Sequence, residues 1–166
     1  MAQGVRLLLL DVDGVLTDGR LYFGARGELL KVFDVRDGYG IVQLRRAGVE
    51  VAVISGRRSP MVVARCRELG VRHVRQGVAD KRAALVRLCA QLRLRPAACA
   101  CVADDLPDLP LMRAVAVSFA VADAHREVRR TADIVTRAGG GRGAVREVCD
   151  HLLALRARRA RRARAR

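Results

Sequence analysis

The 166-residue chain is 51% apolar and carries 32 Lys and Arg against 17 Asp and Glu, a net charge of +15, with two Tyr, three Phe and no Trp. That length and apolar content suit one globular domain with a single core, and they exclude a disordered chain or a pair of full-sized domains. Seven arginines fall within Arg156 to Arg166, and without them the charge is +8, so the basic excess alone names no partner.

In chain order, the apolar run Val5 to Leu10 predicts a first strand. It is broken by Asp11 and Asp13, which leaves it too short for a signal peptide or a membrane span. Leu21 to Phe33, with Gly24 and Gly27 at its middle, predicts a β-hairpin. Further strands are expected at 49–54, 73–75, 99–103 and 115–120. Amphipathic helices are expected at about 38–47, 60–69, 80–93, 107–113, 124–131 and 142–155. Strands alternating with helices of this length predict a doubly wound α/β fold with a parallel sheet. The hairpin, inserted after the first strand, would project over the carboxyl edge of that sheet, where such folds bind ligands. It is a candidate lid or subunit contact. The domain should span 1–155, with an arginine-rich tail at 156–166 that either extends the last helix or frays. Five cysteines, odd in number and without a C-x-x-C pair, fit reduced, buried thiols in a cytoplasmic protein.

The sharpest motif is Asp11-Val12-Asp13-Gly14-Val15-Leu16-Thr17-Asp18-Gly19, directly after the first strand. Two carboxylates at i and i+2 where a buried strand opens into a glycine-bearing loop concentrate negative charge, and a hard cation such as Mg2+ relieves it. Ser55-Gly56-Arg57 after the second parallel strand offers a hydroxyl and open backbone N–H groups to a phosphate. Lys81, beside Asp80 at a helix start, adds an ammonium to the same anion site. Taken singly, Ser55 and Lys81 would be an ordinary turn residue and an ordinary surface lysine; their order gives them weight. Ala103-Asp104-Asp105-Leu106-Pro107-Asp108 closes the series with further carboxylates, of which Asp108 also fits as a cap of the next helix.

The order D-x-D, S-G, K, D-D, each at a strand's end, resembles the haloacid dehalogenase superfamily of phosphotransferases. The stretches from Asp11 to Ile41, Ala47 to Pro60, Gln76 to Lys81, Asp104 to Met112 and Arg137 to Asp150 resemble more closely its 3-deoxy-D-manno-octulosonate 8-phosphate (KDO 8-phosphate) phosphatases. The similarity covers about residues 5–153. It implies an enzyme without a cap domain that uses Mg2+ to release inorganic phosphate and KDO for lipopolysaccharide synthesis. Asp11 would be the nucleophile and Asp13 the acid and base. Ser55, Gly56 and Lys81 would bind the phosphoryl group. Asp11, Asp104 and the Asp13 carbonyl would hold the metal, with Asp105 orienting its surroundings. An acid at Asp13 favours phosphate-ester hydrolysis over dehalogenation. Thr17 and Arg57 are candidate substrate contacts; a basic residue at 57 suits a sugar carboxylate, and a relative acting on a nine-carbon sugar acid has an acidic one there. The resemblance further implies a homotetramer joined through the 21–33 hairpin, and a C-terminal segment, here Gly139 to Gly143, that can fold over an active site. Two departures stand out: Ala103 replaces the usual glycine, and the arginine tail is outside the family pattern.

Other readings are the same chemistry on another 2-keto-3-deoxy sugar-acid phosphate, a phospho-signalling receiver domain, or a nucleic-acid-binding protein. The receiver domain orders its acidic pair before its acceptor strand, the reverse of this chain. The near absence of stacking aromatics disfavours specific single-strand binding, so no nucleic-acid partner is expected and the tail has no assigned role.

Overall fold

The computed structural model describes residues 4–164. Its main sheet has six parallel strands in the order β5-β4-β1-β6-β7-β8. These are β1 (Leu7–Leu10), β4 (Glu50–Ser55), β5 (His73–Gln76), β6 (Cys99–Ala103), β7 (Val117–Ala120) and β8 (Ile134–Val135). The helices are α1 (Val35–Arg46), α2 (Pro60–Glu68), α3 (Lys81–Leu92), α4 (Leu109–Met112), α5 (Arg126–Thr131) and α6 (Ala144–Arg164). Strands β1 and β6 are wholly buried, as leucine and small apolar residues without alternation require for strands covered on both faces. The expected α/β class is the one observed.

The hairpin is also present: β2 (Tyr22–Gly24) and β3 (Gly27–Leu30) pair antiparallel as a sheet of their own. Two details differ from expectation. The helix expected at 107–113 is a 3-10 turn at Leu106–Asp108 followed by the single turn α4, because Pro107 and Pro110 supply no N–H to a longer ladder. Strand β8, only two residues long, was not expected; its run is too short to carry a period.

Register collects the chemistry at one edge. Leu10 of β1 lies opposite Val53 of β4 and Val102 of β6. Asp11, Ser55 and Asp104 therefore leave three adjacent strands at nearly the same level, at the carboxyl edge where open α/β sheets take ligands.

Helices α1 and α6 are keyed together by Asp37-Gly38-Tyr39-Gly40. The buried Asp37 Oδ1 accepts the Arg146 N–H at 2.7 Å, capping α6 from another element, since Gly143 before it has no side chain to do so. A side chain at Gly40 would press on the Arg146 backbone and on Cys149. The motif is thus a packing device and does not line the cavity described below. Helix α6 runs on past residue 155, so the boundary between domain and tail falls inside a helix. Arg156 donates to the Ala47 carbonyl at the end of α1, at 2.8 Å, and Arg158 to Ala163 are exposed. Among the described residues no helix is long and apolar enough to cross a membrane.

Candidate active site

The turn after β1 is held by its own backbone. The Val12 carbonyl accepts the N–H groups of Val15, Leu16 and Thr17 at 2.9 to 3.2 Å. Asp11 Oδ1 takes the Val12 N–H at 2.7 Å, which turns Oδ2 toward Lys81. Gly14 has φ +85°, and a Cβ there would overlap the Asp104 carboxylate. Only glycine lets the two acidic loops approach this closely.

These loops surround a cavity of about 330 Å³ lined by Asp11, Asp13, Ser55, Gly56, Arg57, Lys81, Asp104, Asp105 and Asp108, among others. Every residue expected at the site lines it except Thr17. Thr17, expected as a substrate contact, lies behind the lining instead: it is buried, donates to the Val12 carbonyl at 3.4 Å and accepts the Gly19 N–H at 3.2 Å. Its hydroxyl is spent on the shape of the loop.

Lys81, the first residue of α3, lies 2.6 Å from both Asp11 Oδ2 and Asp108 Oδ1. Burial works against its charge, but the two carboxylates outweigh that and raise its pKa. Burial pushes the Asp11 carboxyl up to about 6 against the pull of Lys81. Burial, then the charges of Asp11 and Asp108, push Asp104 up to about 8. Carboxylate oxygens of Asp11, Asp104 and Asp108 lie within 4.8 Å of one another, and buried Asp104 Oδ1 has no hydrogen-bond partner among the described residues. An orphaned oxygen in a cluster of three acids answered by one ammonium fits a divalent cation with oxygen ligands. Asp105 lies at the rim, where its carboxylate accepts the Leu106 N–H at 2.8 Å. Ser55 is buried at the end of β4, its Oγ accepting the Arg57 N–H at 3.3 Å.

Asp13 meets the hairpin. Its Oδ1 accepts from Lys31, and its Oδ2 lies 3.6 Å from Arg57 Nε. Glu28 of β3 joins Lys31 at 3.0 Å and Arg57 at 3.4 Å, and the Arg57 guanidinium sits over the Phe23 ring. Sequence reasoning missed Lys31 and Glu28, and left Asp108 between a further carboxylate of the motif and a helix cap. One signal was available: Lys31 and Lys81 are the chain's only lysines.

The glycine segment before α6 packs against the back of the Asp11–Gly19 loop. Gly141 donates to the Val15 carbonyl at 2.9 Å, Gly140 donates to Asp123 Oδ1 at 2.9 Å, and a Cβ at Gly140 would overlap the Gly14 carbonyl. Here these glycines serve backbone contact with the Asp11–Gly19 loop.

A haloacid dehalogenase-like hydrolase family matches residues 73–145. A 3-deoxy-D-manno-octulosonate 8-phosphate phosphatase of Escherichia coli is 53% identical over 152 residues, which cover 92% of this chain and 81% of the relative. The chain belongs to the KDO 8-phosphate phosphatase family. A solved member of that family from Yersinia pestis superposes with a TM-score of 0.90 at 50% identity, covering 92% of this chain and 83% of its own. Another, from Moraxella catarrhalis, was crystallised with magnesium ion, phosphate ion and KDO. It superposes with a TM-score of 0.89 at 40% identity, covering 92% of this chain and 88% of its own.

Proposed function

We propose that this chain is a Mg2+-dependent phosphatase that hydrolyses KDO 8-phosphate to KDO and inorganic phosphate in lipopolysaccharide precursor synthesis. The observation that carries the reading is the Asp11 carboxylate held by Lys81 at the cavity floor, with Asp13 two residues on, in a chain with 53% identity to such an enzyme.

Asp11 attacks phosphorus to form an aspartyl-phosphate while the bond from phosphorus to the sugar oxygen breaks, and Asp13 gives a proton to the departing alkoxide. Asp13 then takes a proton from the water that hydrolyses the aspartyl-phosphate. The Ser55 hydroxyl, the Gly56 N–H and the Lys81 ammonium bind the phosphoryl oxygens. Asp11, Asp104 and the Asp13 carbonyl would hold Mg2+, with Asp105 orienting its surroundings. Bound there, the ion neutralises charge on the phosphoryl oxygens and offsets repulsion between the carboxylates. Arg57, at the rim, suits the carboxylate of a 2-keto sugar acid.

The catalytic domain is 1–155, with the tail of 156–166 outside it. The hairpin is the contact between copies in a homotetramer: Phe23, Leu29, Leu30 and Val32 on and beside it are exposed, the kind of apolar surface that a partner covers. Five free buried cysteines suit a cytoplasmic setting.

Phosphate release measured over eight-carbon and nine-carbon sugar-acid phosphates, with Mg2+ and with chelator, tests the assignment. The expected result is the highest kcat/KM on KDO 8-phosphate and no turnover in chelator. A preference for the nine-carbon ester would move the substrate, and metal-independent turnover would remove the cation.

A further inference from the structure

We propose that Lys31 of the hairpin is a positioning residue for the reaction, holding the Asp13 carboxylate where it can hand a proton to the leaving group. The inference rests on the reading of Asp13 as acid and base.

Lys31 follows β3, and its side chain is 2% exposed. Its ammonium sits between two carboxylates, Asp13 Oδ1 on the catalytic loop and Glu28 Oε1 on the hairpin, the latter at 3.0 Å. A buried ammonium is costly unless it is paired on the spot, so this placement ties the hairpin to the loop. Among the described residues Lys31 is the single hydrogen-bond donor to the Asp13 carboxylate. Arg57 is the other cation near it, 3.6 Å from Oδ2 and 41% exposed. Lys31 takes Oδ1 and leaves Oδ2 on the side of Arg57, which lines the cavity. Lys31 does not line the cavity, so it acts through Asp13. Glu28 fixes the ammonium from behind and also reaches Arg57 at 3.4 Å.

The chemistry gives this role a signature. When Asp11 displaces an alkyl ester, the electron pair of the breaking P–O bond stays on a strongly basic alkoxide, which needs the proton from Asp13. A p-nitrophenolate leaves with that pair stabilised on its ring and needs no proton. The constant kcat/KM reads only steps up to departure of the leaving group, so later hydrolysis of the aspartyl-phosphate does not blur the comparison. A displaced Asp13 therefore slows alkyl phosphates selectively.

The experiment measures kcat/KM with Mg2+ for wild type, Lys31→Met and Lys31→Arg on KDO 8-phosphate, glycerol phosphate and p-nitrophenyl phosphate. General acid catalysis contributes about 10²- to 10⁴-fold, and losing the positioning of the acid should remove about 10- to 100-fold on the alkyl esters. The aryl ester should change less than about threefold, and Lys31→Arg should restore most of the alkyl rate. Equal losses on alkyl and aryl esters, or a loss confined to KM, would overturn the proposal. Glu28→Gln, which loosens Lys31 from the far side, should show the same alkyl selectivity at smaller size, and it serves if Lys31→Met does not fold. Wild type that cleaves glycerol phosphate and p-nitrophenyl phosphate but not KDO 8-phosphate would refute the substrate assignment, while the alkyl-to-aryl ratio would still judge Lys31.

Discussion

Thirty of the 32 basic residues are arginine and two are lysine, and each lysine meets one of the paired aspartates: Lys81 meets Asp11 and Lys31 meets Asp13. A compact ammonium on a long stem fits between two closely spaced carboxylates where a planar guanidinium does not. In a chain so rich in arginine a lysine is itself a readable sign, which the motif order reinforces at 81 and nothing local reinforces at 31. Asp37 shows the opposite case, a motif residue whose role depends on a helix more than a hundred positions away. Burial pushes its carboxyl up to about 6 against the pull of the Arg146 and Gly143 N–H groups. With the folded pKa above the ordinary 3.8, its contribution to stability is complete below about pH 4 and is lost as pH rises through about 6. Asp37→Asn keeps an acceptor for Arg146 and has no proton to lose. Melting curves should shift in favour of the variant relative to wild type between about pH 4 and about pH 7; a constant difference would contradict the assignment.

At the scale of elements, alternation of apolar runs with amphipathic stretches made the parallel strands and most helices legible, because a strand buried on both faces and a helix buried on one differ in period. The breaking of the 107–113 helix could have been read from Pro107 and Pro110. Strand β8 could not, since two residues carry no pattern. The segment from Gly139 to Gly143 was legible as flexible chain, while its packing on the Asp11–Gly19 loop needed the tertiary structure. Gly140→Ala tests that packing. Its methyl group meets the Gly14 carbonyl, and overpacking of this kind costs about 1–3 kcal/mol. A lowered melting temperature with a loss of phosphatase activity is expected, because the displaced backbone belongs to the catalytic loop. An unchanged melting temperature would mean that the segment is free to move away.

For the whole molecule, the site exists because β4, β1 and β6 are adjacent and in register, so that motifs separated by more than ninety residues end at one edge. Motif order at strand ends made Asp11, Asp13, Ser55, Lys81 and Asp104 legible; the inward reach of the hairpin to Asp13 was not, since nothing local in 21–33 specifies its angle. The net charge of +15 proved a poor guide: it resides partly in the exposed end of α6, away from the acidic groups that surround the cavity. Asp11 is proposed as the nucleophile of a Mg2+-dependent KDO 8-phosphate phosphatase. Phosphate release from KDO 8-phosphate in Mg2+, compared between wild type and Asp11→Asn with circular dichroism confirming that both are folded, decides it. Rapid turnover by wild type and none above background by the folded variant are predicted; turnover retained by Asp11→Asn would contradict the account.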